Sequence, residues 1–239
     1  SHAVVRGLRG YLSPADSCST TECKVKKESL FGGAAVALVV VFAGAALMFN
    51  ASKSGGTASA ANMATLDRVH AATTGPADAP VVIAEFIDPA CETCALFYPA
   101  VKDLMTANPD QIRLVIRWAP FHNGSRNIVA LLEATRKQGK LWPALERLLS
   151  SQSAWAINHS ADVDLAWAQL AGLDLDGEQI LVDMASAEVA QIVEQDLADA
   201  ATLNVTMTPE YFVNGKPMPS FGWEQLQSLV EEALAEAGR

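Results

Sequence analysis

Two short apolar runs rich in β-branched residues frame a helix-length segment that opens on two cysteines. This arrangement restricts the possible folds of the 239-residue chain more than any other. Residues 81–87 (VVIAEFI) lie between Pro80 and Pro89 and read as a buried strand. From Cys91 to Ala107 the spacing is helical, and Asn108-Pro109 ends it. Residues 112–118 (IRLVIRW) form a second strand in which apolar and basic residues alternate. Two parallel strands need a crossover, and strand–helix–strand predicts a βαβ unit.

Beyond this unit the pattern is helical from Ser125 to about Leu203. Helices are expected over 125–138, 141–149, 162–171 and 178–200, with Gly139, Gly172 and Gly177 as breaks. Trp142, Trp155 and Trp167 sit at helical positions and are read as core of this stretch. A short strand at 210–213, the hairpin signal Asn214-Gly215 and a return over 216–219 follow. An amphipathic helix over 222–237 closes the chain, with Trp223, Leu226, Leu229, Val230 and Leu234 inward. Half of the residues are hydrophobic, so a core forms without disulfide staples, and four cysteines are too few for a stapled scaffold. A net charge of −10 leaves no basic surplus for a nucleic-acid partner.

Residues 30–49 (LFGGAAVALVVVFAGAALMF) carry no charge. A helix of that length spans the roughly 30 Å hydrocarbon core of a bilayer. Arg6, Arg9, Lys24, Lys26 and Lys27 precede it against Asp16, Glu22 and Glu28, while only Lys53 follows before Asp67. The bias places the N-terminus in the cytoplasm. Ala58-Ser59-Ala60 resembles a signal cleavage site, but it lies about ten residues beyond an apolar run that is long for a signal core. The expectation is an uncleaved anchor. The tail 1–29 is cytoplasmic, 30–49 crosses the membrane, and 50–74 is a flexible tether, with a short helix over 62–72. Residues 75–239 fold outside. Cys18 and Cys23 fall on the cytoplasmic side, where thiols stay reduced, and are given no essential role.

The chemistry concentrates at Cys91-Glu92-Thr93-Cys94. Cysteines at i and i+3 in a first helical turn can close a disulfide, and the positive helix end stabilises a thiolate. Cys91 is the exposed nucleophile, and Cys94, one turn deeper, resolves the mixed disulfide. A zinc site needs four ligands, and no other cysteine follows the anchor. Thr208-Pro209, just before the strand at 210–213, is a place for a cis peptide bond. Met207 and Met218 could join the cysteines in a soft Cu(I) site, or fill a groove or the core. His122 and His159 are read as surface or core residues.

Several separated motifs resemble the DsbA family of thioredoxin-like proteins. They are Gly75-Pro76-Ala77-Asp78-Ala79-Pro80, the strand ending in Glu85-Phe86, Cys91-x-x-Cys94, and Thr208-Pro209-x-x-Phe212-Val213-Asn214-Gly215. The stretches 117–122 (RWAPFH) and 138–142 (QGKLW) are similar as well. The resemblance covers about 75–237. It implies an α/β thioredoxin-like fold with an inserted helical domain at about 125–203; the single N-terminal transmembrane helix expected before it is read from residues 30–49 alone.

The resemblance further implies a thiol–disulfide oxidoreductase, which the apolar segment at 30–49, outside the resemblance, would tether to the membrane. It would be single-pass in the inner membrane, with its catalytic domain in the periplasm and no cofactor. Its partners would be extracytoplasmic client proteins and a membrane redox partner that resets the disulfide. Pro209 would be the cis-proline facing Cys91. Thr208 would pair through its backbone with an extended client, beside Glu92, Thr93 and Met207. Glu85 would be the buried acid that exchanges a proton with Cys94. The chain departs from the family in carrying Glu92-Thr93 where Pro-His is common. A carboxylate beside Cys91 is expected to raise the pKa of its thiol and weaken the disulfide as an oxidant. Thr before the cis-proline is more like isomerase and reductase relatives, but the tether is too short for their dimerisation domain. A Cu(I) chaperone and a redox-inactive adaptor with the same groove remain the alternatives.

Overall fold

The chain follows the alternation of its strands into a five-stranded sheet of order β1 (Ala72–Thr74), β3 (Ile112–Trp118), β2 (Val81–Ile87), β6 (Glu210–Val213) and β7 (Lys216–Pro217). The computed structural model describes residues 58–238. The expected tail, the transmembrane segment and Cys18 and Cys23 lie outside the described residues. Among the described residues no helix is long and apolar enough to cross a membrane.

β2 (Val81–Ile87) and β3 (Ile112–Trp118) pair in parallel from Val81↔Ile112 to Ile87↔Trp118. Helix α2 (Glu92–Ala107) makes the crossover between them. β6 (Glu210–Val213) runs antiparallel to β2, with Glu85 opposite Tyr211, and β7 (Lys216–Pro217) returns beside it. β1 (Ala72–Thr74) covers the other edge, antiparallel to β3.

Side chains alternate across the sheet, as a two-residue period requires. Val81, Ile83, Ile87, Ile112, Leu114, Ile116, Trp118, Tyr211 and Val213 enter the larger core, which includes α2 and α8 (Trp223–Ala237). Val82, Ala84, Phe86, Val115 and Phe212 enter a smaller core on the opposite face with Leu66 and Ala200. Glu85 therefore points to the same face as the larger core, where α2 lies.

The insertion between β3 and β6 is helical: α3 (Ser125–Lys137), α4 (Leu141–Ser150), α5 (Val163–Gln169), α6 (Gly177–Met184) and α7 (Ala187–Thr202). The single helix expected over 178–200 is two, because the Ser186 hydroxyl caps a new start by accepting from the Val189 N–H. A small hairpin, β4 (Ala156–Ile157) and β5 (Ser160–Ala161), interrupts the helices where only helix was expected. Trp155 is fully buried, but Trp167 is 37% exposed and does not belong to the insertion core.

The expected tether ends earlier than residue 74. Residues 58–66 form helix α1. Leu66 is fully buried, and the Asn62 amide donates to the Gly215 carbonyl at 2.9 Å. Gly215 has φ 77°, and a Cβ there would lie 2.1 Å from the Ser59 carbonyl oxygen. Small residues that read as linker are thus small because α1 seats against this turn.

A buried ionic network fixes α1 and α7 to β3. Arg117 is fully buried and donates to Asp196 at 2.7 Å, to Asp199 at 2.6 Å, and to the Thr65 and Leu66 carbonyls. Asp196 also accepts from the Trp118 N–H at 2.7 Å, and Arg68 makes two bonds to Asp199. The apolar–basic alternation of β3 hid this, because Arg117 reads as a solvent-facing base. Removing one partner strands buried charge, so Arg117→Met is expected to cost about 3–5 kcal/mol in denaturant unfolding. Arg126→Ala, which removes an exposed pair with Glu194, is expected to cost under about 1 kcal/mol in the same assay.

Candidate active site

β2 ends by delivering Asp88, and this buried carboxylate organises the turn that follows. It accepts from the Ala90 N–H at 2.9 Å, from the His122 N–H and Nδ1 at 2.8 Å each, and from the Ser125 hydroxyl. Its backbone carbonyl accepts from the Cys91 N–H at 3.0 Å. From the insertion, the buried Gln152 amide donates to the carbonyls of Pro89 at 2.7 Å and Cys91 at 3.0 Å. Cys91 becomes the N-cap residue of α2, at the end where unpaired N–H groups and the helix dipole favour negative charge.

Cys91 and Cys94 are both free thiols here; Cys94 is fully buried, and Cys91, expected to be exposed, is buried as well, at 6%, because the Thr208 carbonyl lies over it. The Thr208–Pro209 bond is cis, and the Cys91 Sγ lies 3.2 Å from the Thr208 carbonyl oxygen. Thr208 is half-buried, Pro209 buried and Met207 59% exposed. Glu85 is fully buried on the α2 side; its Oε1 accepts from the Tyr211 hydroxyl at 3.0 Å, and its Oε2 has no protein partner. Cys91, Cys94, Glu85, Thr208 and Pro209 thus converge at one end of β2.

The two thiols are driven apart. A hydrogen bond from the Cys94 thiol, joined by the Thr208 side chain and the Cys94 and Thr93 backbone N–H groups, outweighs burial and pulls the Cys91 thiol down to about 5. Burial, then that same bond to Cys91, then the nearby Glu85 push the Cys94 thiol well up. Burial raises Glu85 to about 8, against the Tyr211 bond that lowers it. The Cys91 thiol, expected to be raised beside Glu92, lies below its ordinary value instead. The Glu92 side chain is 64% exposed, with Oε2 3.6 Å from His159 Nδ1.

Met218, paired with Met207 in the soft-metal alternative, is buried in the larger core. Among the described residues no three His, Cys, Asp or Glu side chains are grouped to hold a metal. Asp88, Gln152, His122 and His159 were missed as site residues. Asp88 carried a signal, an acid ending an otherwise apolar strand three residues before Cys91, and His122 closes the 117–122 stretch that resembles the family. Gln152 and His159 come from the insertion, and no local pattern ties them to the cysteines.

The profile of a family described as Thioredoxin matches residues 68–232. Among solved structures, a thioredoxin-like oxidoreductase from Silicibacter pomeroyi is 27% identical with a TM-score of 0.63, covering 72% of this chain and 97% of that one. BdbD from Bacillus subtilis (21%, TM-score 0.60; 68% and 92% covered) and α-DsbA1 from Wolbachia pipientis (16%, TM-score 0.64; 74% and 96%) share the fold. Among curated proteins, an antiporter named Na(+)/H(+) antiporter NhaA from Herminiimonas arsenicoxydans is 32% identical over 142 residues, 59% of this chain and 22% of its own length. NhaA 3 from Salinispora tropica is 31% identical over 167 residues, 68% and 24%. The chain spans about a quarter of the length of these curated relatives. It belongs to the thioredoxin family.

Ultraviolet thiolate absorbance of the reduced protein is expected to titrate with a midpoint near 5, and to lose that step in Cys91→Ala. Glu85 works on stability in the opposite sense. Its folded pKa of about 8 exceeds the ordinary 4.5, so the folded state holds a proton that the unfolded chain releases. That contribution is full below about 4.5 and is lost as pH rises through 8. Glu85→Gln is therefore expected to unfold at higher denaturant than wild type above pH 8, with the gap closing toward pH 4.5.

Proposed function

We propose that this thioredoxin-family chain exchanges its Cys91–Cys94 pair with cysteines of extracytoplasmic proteins, and that it works in the oxidising direction. The observation that carries the reading is the split between the two thiols: one that ionises near 5 at a helix N-terminus, and one kept protonated by burial.

In the oxidised form a client thiolate attacks the Cys91 Sγ. The Cys91–Cys94 bond breaks, a client–Cys91 disulfide forms, and Cys94 leaves with the electron pair. Glu85, a protonated acid at neutral pH, supplies the proton that Cys94 takes up. A second client thiolate then attacks its own mixed sulfur and releases Cys91. A leaving thiol of low pKa departs faster, so the acidity of Cys91 favours this step. Thr208, next to the cis bond and beside Cys91, offers its backbone to an extended client strand, and Met207, Glu92 and Thr93 border that strand.

Placement at the membrane rests on residues 30–49 and on the charge bias around them. The curated relatives carry the names of membrane antiporters, which supports a task beside a membrane. A redox partner in that membrane would return the pair to the disulfide.

Cys94→Ala leaves the mixed disulfide unresolved. Offered a disulfide-bonded peptide, the reduced variant is expected to accumulate a Cys91-linked adduct visible by mass, whereas wild type releases it and closes its own disulfide. Absence of any adduct, while wild type turns over, would contradict the assignment.

A further inference from the structure

The hairpin β4–β5 brings a side chain from the insertion back to the CxxC turn. Its two tip residues, Asn158 and His159, both have positive φ, 52° and 59°, as a tight two-residue turn requires. The hairpin is seated rather than free. The Ala161 N–H donates to the Asn123 carbonyl at 2.8 Å, and the Asn123 amide donates to the Ser160 hydroxyl at 2.9 Å. Gly124 permits the close approach: a Cβ there would lie 2.2 Å from the Ala161 carbonyl oxygen.

At the tip, the His159 ring stacks on His122 with centroids 5.6 Å apart and planes at 19°. His122 is itself tied to Asp88 through Nδ1. On its other side His159 Nδ1 stands 3.6 Å from Glu92 Oε2. Asp88, His122, His159 and Glu92 thus form an arc that starts three residues before Cys91 and ends at the residue after it.

Glu92 occupies the first turn of α2. An unrestrained acid there is drawn to the positive helix end, the same end that stabilises the Cys91 thiolate. We propose that His159 is a positioning residue that holds the Glu92 carboxylate away from Cys91, so that the insertion sets how readily Cys91 reacts. The proposal rests on Cys91 being the nucleophile.

The test is a double-mutant cycle read by thiolate titration of the full chain. Asn tolerates positive φ, so His159→Asn keeps the turn while removing the ring. A carboxylate released to about 7 Å from the sulfur, in a largely aqueous medium of effective dielectric about 70, lowers the Cys91 ionisation constant about threefold. His159→Asn is expected to show that fall, and the equilibrium with glutathione is expected to move the same fold toward the disulfide. Glu92→Gln and the double variant are expected to titrate as wild type. An unchanged midpoint in His159→Asn overturns the proposal. So does a fall of equal size in the Glu92→Gln background, or a marked rise in acidity from Glu92→Gln alone. A wild-type Cys91 that neither titrates nor exchanges would instead overturn the oxidoreductase reading.

Discussion

A thiolate can be kept at the end of a buried strand only if the turn that presents it is fixed from several sides. Here the Asp88 carboxylate does most of the fixing. It is fully buried and each oxygen is used, by the Ala90 N–H, the Ser125 hydroxyl and the backbone and ring of His122. One side chain therefore closes the β2–α2 turn and starts the insertion at α3. A buried carboxylate is costly without such partners, so the turn and the loop at 119–125 order together. The Cys91 N–H, bound to the Asp88 carbonyl, inherits that order.

The two faces of the sheet divide the work. The larger core places α2, Glu85 and Tyr211 on one side, and burial there raises both Cys94 and Glu85. The opposite face holds α1 and α7 through Arg117, Asp196 and Asp199. Charge on the first face is held off, while charge on the second is met by opposite charge. The same low dielectric produces both results.

The sequence showed the strands at 81–87 and 112–118, the pair Cys91 and Cys94, and the Thr208–Pro209 segment, because each is local: a two-residue period, an i, i+3 spacing, a proline before a strand. Glu85 was legible only through resemblance, since a single acid in an apolar strand does not say which face it meets. Arg117 misled because its partners Asp196 and Asp199 lie 79 and 82 residues away. Glu92 misled for a related reason. Proximity in sequence suggested a charge on Cys91, but its carboxylate stands 3.6 Å from His159, which a hairpin unseen in the helical pattern carries to it.

The account stands or falls on whether the reduced form is stabilised through Cys91. A thiol ionising near 5 rather than near 7, as thioredoxin's does, favours the reduced form at neutral pH by about 2 kcal/mol more. That is roughly 50 mV for a two-electron couple. The direct measurement is the equilibrium potential of the Cys91–Cys94 pair against a glutathione series without metal. The account predicts a value near −220 mV, above the roughly −270 mV of thioredoxin and below the roughly −120 mV of DsbA. A value at or below about −270 mV would contradict it, and electrons would then flow outward through the pair.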